Sequence, residues 1–429
     1  MQRFNLIKIK RVLEAAEETA YYQKLFNQYG IDIESINSYE DFQKIPITKK
    51  EDYRNNMLGF LRESVRVKLN EKIFCSEHDD FIKCDEILYE AGLNMVITSG
   101  STGLPLKVIH SFKDDYRNYF ILNLYRRKYA NLSFRDNYLW IVPMNEKTKQ
   151  YFYDIKENYI VKSYGIEFFL TSFTRDKIEE LHNIIQKYNV KWITGAPTAI
   201  TEYGRYLLEN NISSKLEYIE LHSEPLLMWQ RDLLQKAFQA KLQCIYSCNE
   251  INFIAATCPC GHYHILEDNV FLELIKSDEF PFAYKVVVTG LNYFDTPMIR
   301  YEVGDLAREI QCDAQKELAI ELLGYRASDF IKFENGETFE PYVIYDSVFF
   351  LNEHFQFDIC YYQVIQSSYS SFDFLFEIVM TQKQINECKK FLEEFLYSAF
   401  EKEVKVNVIA KKMLQKDVKK YKRFYSLIR

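Results

Sequence analysis

The residues with the most chemistry to offer stand together at 98–105: Thr98-Ser99-Gly100-Ser101-Thr102-Gly103-Leu104-Pro105. Hydroxyls and exposed backbone N–H groups donate to phosphate oxygens, and glycine lets a backbone come close to a ligand. The flanking runs Met95-Val96-Ile97 and Lys107-Val108-Ile109-His110 read as strands. A loop of this kind between two strands can cradle the phosphates of a nucleotide. The same residue types also build an ordinary hairpin loop. Two carboxylates sit in comparable places. Glu250 follows the apolar run that ends Tyr246-Ser247-Cys248-Asn249. There it could hold Mg²⁺, which takes one or two carboxylates plus substrate phosphates, or belong to a helix N-cap cluster. Asp305 follows Arg300-Tyr301-Glu302-Val303-Gly304, a glycine turn. A carboxylate there can accept both hydroxyls of a ribose, or simply be a turn residue.

A different chemistry gathers at Cys258-Pro259-Cys260-Gly261-His262-Tyr263-His264. Zinc takes four sulfur or nitrogen ligands tetrahedrally, commonly from a knuckle plus distant residues. Cys258, Cys260 and His264, closed by Cys312, are the expected set for a structural Zn²⁺. The alternative is a turn with reduced thiols, His264 opening a strand. The nine cysteines are scattered and odd in number, which fits reduced thiols in the cytoplasm better than a disulfide framework.

Elements must position these groups. Residues 7–29 carry helical periodicity up to Gly30, Ser38 and Asp41 form a cap pair, and Thr48 can cap a helix over 49–54. A long helix is expected between 114 and 129. Strands at 138–142, 192–195, 218–221 and 243–246 then alternate with helices at 176–188, 197–210 and 227–238. Such alternation predicts an α/β fold, a mostly parallel sheet with helices on both faces and ligands at the carboxyl ends of the strands. Closely spaced strands at 271–275, 284–289 and 305–310 predict a small β subdomain, at about 265–326. A strand at 372–380 and a helix at 384–400 predict an α+β domain over 327–429, after a large domain over 1–326. The step from Arg326 to Asp329 reads as the junction.

Composition narrows the classes. Hydrophobic residues make up 48% of 429, which suits a globular chain of two or three domains. The net charge of −7 argues against nucleic acid as the main partner. No apolar run is long enough for a membrane span, and the first residues lack the apolar core of a signal peptide. One region is basic: residues 411–429 carry Lys411, Lys412, Lys416, Lys419, Lys420, Lys422, Arg423 and Arg429 against Asp417 alone.

Taken in order, these segments resemble the adenylate-forming ligase superfamily. Residues 98–105 match its Thr-Ser-Gly-Ser/Thr-Thr-Gly-x-Pro loop. Residues 246–250, 301–305 and 326–329 resemble its aromatic-Gly-x-Thr-Glu, Tyr-x-Thr-Gly-Asp and Gly-Arg-x-x-Asp motifs. Lys419-Lys420-Tyr421-Lys422-Arg423-Phe424 is similar to the Gly-Lys-x-Arg-Arg-Phe ending of phenylacetate–CoA ligases and CapK-type capsule enzymes. That branch is also suggested by Leu106 where most of the superfamily has Lys, by Tyr21-Tyr22-Gln23-Lys24-Leu25-Phe26 with Ile45-Pro46-Ile47-Thr48-Lys49, and by Pro297-Met298-Ile299-Arg300-Tyr301. Ser247 and Asn249 replace Gly and Thr, Val303 replaces Thr, Lys419 replaces Gly, and Gly324 stands one residue early. None of these removes a charged group.

The resemblance implies a mobile small C-terminal domain and ATP-dependent activation of a carboxylic acid to an acyl-adenylate. Thr98, Ser99, Gly100, Ser101, Thr102 and Gly103 would hold phosphates, with Tyr246, Asn249, Asp305 and Arg326 completing the ATP site. Glu250 would hold Mg²⁺, Lys420 would be the catalytic lysine and Asp329 the hinge; Glu250 and Arg326 count with Lys420 as catalytic. The acid, of aryl or small organic type, would lie among Gly195, Ala196, Pro197, His222, Ser223 and Glu224. There Gly195 and Ala196 leave room for a flat ring, and His222 and Glu224 serve either the acid or the framework. CoA, a carrier-protein thiol or an amine stay open as acceptor, and a homodimer as assembly. A second reading is a catalytically reduced nucleotide-binding partner or sensor of the same fold, suggested by the substitutions around Glu250 and Lys420.

Overall fold

The computed structural model describes residues 4–69, 87–97, 106–144, 149, 155–163, 165–277, 283–314, 317–326, 330–339, 341–357, 359, 361–411 and 423–428. Its contacts divide the chain into two units, Met1–Leu322 and Leu323–Arg429. The loop at 98–105, Asp329 and Lys420 lie outside the described residues.

In the first unit, five strands run parallel in the spatial order Gly165–Leu170, Tyr138–Pro143, Trp192–Gly195, Tyr218–Leu221, Lys241–Cys248. The helices Arg175–Lys187, Pro197–Glu209 and Met228–Phe238 connect them. Apolar residues of strands and helices, among them Ile141, Ile193, Ile219, Ile184, Ile200 and Leu234, share one core. The expected alternation is therefore present. Its last strand does more than the pattern predicts: Lys241–Cys248 also pairs antiparallel with Asn252–Thr257. Through that pairing the sheet continues into Tyr263–Ile265, Glu317–Arg326, Tyr301–Cys312, Tyr284–Gly290 and Val270–Lys276. The β subdomain is thus an extension of the parallel sheet through one shared strand. Arg326 closes the strand Glu317–Arg326, where a junction was expected to begin.

The strands beside the glycine loop are Leu93–Ile97 and Lys107–Ser111, paired antiparallel with Val96 opposite Val108. The first helical region is two helices, Leu6–Glu17 and Ala20–Tyr29. Thr19 accepts from the Tyr22 N–H and so caps the second, and Gly30, at φ +62°, ends it. Ser38 and Asp41 form a reciprocal capping box. Thr48 is not a cap: Lys49 precedes the helix Lys50–Asn55, while Thr48 makes a β-bridge with Tyr301.

In the second unit, the strands Lys405–Lys411, Ser371–Glu377, Tyr362–Ser368 and Phe424–Ser426 form a sheet in that order. The helices Tyr342–Phe355 and Gln382–Phe400 share its core, with Leu351, Leu392, Leu396, Phe372, Phe374 and Phe376 buried together. This is the α+β arrangement expected there.

Candidate active site

Asp305 and Tyr246 meet. Tyr246 belongs to the shared strand, and its hydroxyl donates to Asp305 Oδ2 at 2.8 Å. Asp305 does not follow a turn. Gly304, at φ +90°, sits inside the strand Tyr301–Cys312, where the register against Tyr284–Gly290 shifts between Lys285 and Val287. A bulge with glycine in the positive-φ region re-aims the next side chain without ending the strand. The correction is local: the glycine is needed, for a bulge rather than for a turn.

Glu250 follows the same shared strand and is 4% exposed. The Tyr301 hydroxyl donates to its Oε1 at 2.7 Å, and Lys50 Nζ lies 3.4 Å from that oxygen. Burial, reinforced by the Glu250 charge, holds the Tyr301 hydroxyl far above its ordinary pKa, so it remains a donor. Both partners engage Oε1. Asn249 is fixed by its backbone: its carbonyl lies 2.6 Å from Nε2 of the buried His110, the last-but-one residue of the strand after the glycine loop.

The amino-terminal segment completes this corner. The Thr48 N–H donates to the Arg300 carbonyl and the Glu302 N–H to the Thr48 carbonyl, both at 2.9 Å. The Ile299 N–H donates to the Tyr22 hydroxyl at 2.8 Å. Arg300 donates to Glu273 at 2.9 and 3.1 Å and to the carbonyls of Gln43 and Ile45. Asp114 Oδ2 accepts the backbone N–H groups of Phe294, Asp295 and Thr296 at 3.1, 2.8 and 3.3 Å, which sets the loop leading into this segment. Burial pushes the Asp114 carboxyl up to about 6, against the opposing pull of those donors and of Arg117. Lys50 was not singled out in the sequence. It is 200 positions from Glu250, and no local pattern links the two; the basic start of a helix after Ile47-Thr48 is the signal it offers.

The segments expected to bind the acid make the following contacts. Gly195 ends its strand, and a Cβ placed there would lie 3.1 Å from Ile141 Cβ and 3.6 Å from Ile200 Cδ1. Its missing side chain is therefore filled by core residues and leaves no room for a ring on that side. Ala196 is buried, and Pro197 opens the helix Pro197–Glu209. Neither can accept the first N–H groups, and Glu224 does so from the neighbouring strand's exit. Its Oε2 accepts the Thr198 N–H at 3.2 Å and the Thr198 hydroxyl at 2.5 Å, a carboxylate at a helix N-terminus. Ser223 takes φ +73°, and its hydroxyl lies 2.7 Å from His222 Nδ1. Burial lowers the His222 pKa, which keeps the ring neutral near pH 7. Beneath them, the buried Glu220 takes two hydrogen bonds of 2.6 Å from Arg126.

The cysteine cluster is assembled, with one change of ligand. Ligand atoms of Cys258, Cys260, His262 and Cys312 all lie within 4.8 Å of one another. His264 is not among them: it lies in the strand Tyr263–Ile265, its Nδ1 3.7 Å from Glu317. The Gly261 N–H donates to the Cys258 carbonyl at 2.9 Å, and Gly261 takes φ +90°. This tight turn brings 258, 260 and 262 to one side.

No protein-family model matches this chain. Protein CapK of Staphylococcus aureus is 28% identical over 155 residues, a match that spans 34% of this chain and 34% of CapK. Among solved structures, 2-hydroxyisobutyryl-CoA ligase in the postadenylation state in complex with R3-HIB-AMP superposes with a TM-score of 0.69 at 14% identity, over 98% of this chain and 88% of that one. GH3.15 acyl acid amido synthetase superposes with a TM-score of 0.58 at 13% identity, over 97% and 90%. With a parallel sheet continued into a β subdomain and followed by an α+β unit, the chain has the fold of the adenylate-forming ligases.

Proposed function

We propose that this protein activates a carboxylic acid with ATP and passes the acyl group to a nucleophile. The observation that supports this best is the corner where Tyr246 meets Asp305 and Glu250 meets Tyr301 and Lys50. In the reaction, a carboxylate oxygen attacks the α-phosphorus, and the bond from that phosphorus to pyrophosphate breaks. A thiol or amine then attacks the acyl carbon, and AMP leaves. Negative charge gathers on the phosphates, so donors and cations placed beforehand supply most of the acceleration. In this reading, residues 98–103 hold the β- and γ-phosphates, Asp305 the ribose and Asn249 the base side. Glu250 is the residue that would hold Mg²⁺, which would neutralise phosphate charge. Lys50 faces the same carboxylate and would serve as a second cation, where Leu106 leaves the loop without its usual lysine. Lys420, from the domain at 327–429, would bridge the acid and the α-phosphate, with Arg326 and Asp329 at the hinge. The resemblance of the opening and the ending of the chain to phenylacetate–CoA ligases and CapK-type capsule enzymes favours an aryl or small organic acid, or one used in capsule biosynthesis, with CoA, a carrier thiol or an amine receiving the acyl group.

The test is acid-dependent exchange of labelled pyrophosphate into ATP across a panel of carboxylic acids. Exchange is expected with one class of acid. The Lys420→Ala variant should lose it by about 10³-fold while binding ATP within a few fold. ATP binding without exchange for every acid would mark the protein as a nucleotide-binding partner or sensor instead.

We also propose a structural Zn²⁺ held by Cys258, Cys260, His262 and Cys312. Three thiolates and one imidazole are a common structural set for this ion. Elemental analysis should find one zinc per chain, retained by His264→Ala and lost from Cys312→Ser; retention by Cys312→Ser would exclude this ligand set.

A further inference from the structure

The helix Phe112–Ala130 buries one face, with Asp114, Asn118, Leu122 and Arg126 turned inward. Its opposite face is apolar and uncovered. Phe112, Tyr116, Phe120 and Leu124 follow one another at four-residue steps, and Tyr116 is 72% exposed. Phe134, past the end of the helix, stacks on Phe120 with centroids 6.1 Å apart, and Tyr89 meets Phe112 edge-on. At 1.5 Å per residue the helical part of this row is about 18 Å long. It is a ridge rather than a groove.

The exposed charges that the helix itself places on this face are basic, while Glu90, next to Tyr89, is an exposed acid at its edge. Lys113 and Arg127 fall between the aromatic positions and Lys128 beside them, all exposed. Arg127 also lies over the Phe134 ring at 5.0 Å. The acids of the helix are turned away: Asp114 is fully buried, and Asp115 accepts from Asn94 and Asn252. Asp136, beyond the helix, accepts the Ser133 N–H. In a chain of net charge −7, this is a basic, aromatic ridge. Two copies of it would set like charges against each other, which opposes self-pairing. The other face of this helix is packed in the protein, so it is no free amphipathic helix; a row of exposed aromatic side chains with lysine and arginine among them instead suits contact of the folded surface with an anionic bilayer. There the rings enter the headgroup boundary and the long basic side chains reach the lipid phosphates.

We infer that the face carrying Phe112, Tyr116, Phe120, Leu124 and Phe134 docks the protein on an anionic lipid surface. No helix of the described residues is long and apolar enough to cross a membrane, so this is attachment in the interface plane. The proposal is independent of the catalytic reading, since none of these residues belongs to the proposed active site.

The experiment is co-sedimentation of the full-length protein with vesicles of phosphatidylcholine alone and of phosphatidylcholine with phosphatidylglycerol. Binding is expected to the mixed vesicles, weakening with added salt, and at least about tenfold weaker to the neutral ones. A Tyr116→Ser/Phe120→Ser variant and a Lys113→Glu/Arg127→Glu variant should each lose about tenfold or more in affinity. Both should keep the far-ultraviolet circular dichroism and melting temperature of the parent. Equal binding by the variants, or no binding to either vesicle, overturns the proposal. So does a dimer in sedimentation velocity that the same substitutions split, because a second copy then covers the face.

Discussion

The corner around Glu250 and the segments around Gly195 and Glu224 lie at the exits of adjacent strands, yet their polar groups are used in opposite ways. At the first, polar and charged groups from distant parts of the chain meet: Tyr246 with Asp305, and Tyr301 and Lys50 with Glu250. At the second, the expected residues contact the framework. Ile141 fills the space that Gly195 leaves, and Glu224 caps a helix. A small residue or a carboxylate at a strand exit is therefore weak evidence for a ligand. A buried carboxylate facing a donor and a cation is not by itself enough either, since Glu220 and Glu273 are held in that way within the framework; Glu250 differs in standing next to Asn249, whose carbonyl meets the strand that follows the glycine loop.

The largest expected effect tests the first region. Glu250→Gln keeps the shape and the Tyr301 contact but removes the charge. Pyrophosphate exchange should fall by about 10³-fold, with the melting temperature nearly unchanged. A large loss of stability with activity per folded molecule preserved would move Glu250 into the framework.

Asp114 supports this corner and should reveal itself through pH. Its folded pKa is raised to about 6 from 3.8, so the native state holds that proton more tightly than the unfolded chain. The stability it contributes is complete below about pH 4, falls as pH rises and is gone above about pH 6. Urea unfolding from pH 4 to 7 should show Asp114→Asn gaining on the parent by about 2 kcal/mol across that window. A constant difference would mean that the carboxyl titrates normally.

Lys50→Met should raise the KM for ATP by about tenfold and leave the acid's KM within twofold, measured by the same exchange. An unchanged KM for ATP would leave Lys50 as a partner of Glu250 only. The smallest effect belongs to the second region. Glu224→Ala should cost about 1 kcal/mol of stability through the lost cap while the acid's KM moves less than threefold. A collapse in acid affinity at unchanged stability would return Glu224 to the binding pocket and remove the contrast.

Much of this architecture was legible in the chain because it rests on local rules. Alternating apolar strands and amphipathic helices from 138 to 246 specify a parallel sheet whatever lies elsewhere, and every element expected there is observed within a few residues. The strands Tyr159–Val161 and Gly165–Leu170, which follow no helix of that alternation, were not read from the sequence. Tyr246, Glu250 and Asp305 could be singled out too, as short motifs with polar or charged groups, although only Glu250 stands at a strand exit. The misses are of two kinds. Thr48, Gly304 and His264 have the right chemistry, but their geometry depends on a partner strand: a bridge to Tyr301, a bulge against Lys285 and Val287, a strand facing Glu317. Lys50 and Arg126 are single residues whose meaning comes from carboxylates far along the chain.

By itself, then, the sequence determined the layered α/β order, the α+β ending and the residue types capable of nucleotide and metal chemistry, because periodicity and side-chain chemistry are local. Tertiary structure alone decided that His262 joins the cysteines, that Glu224 is a cap and that Lys50 reaches Glu250. Those outcomes depend on which segments pairing and burial bring within a few ångströms, and nothing in a stretch of neighbouring residues fixes that.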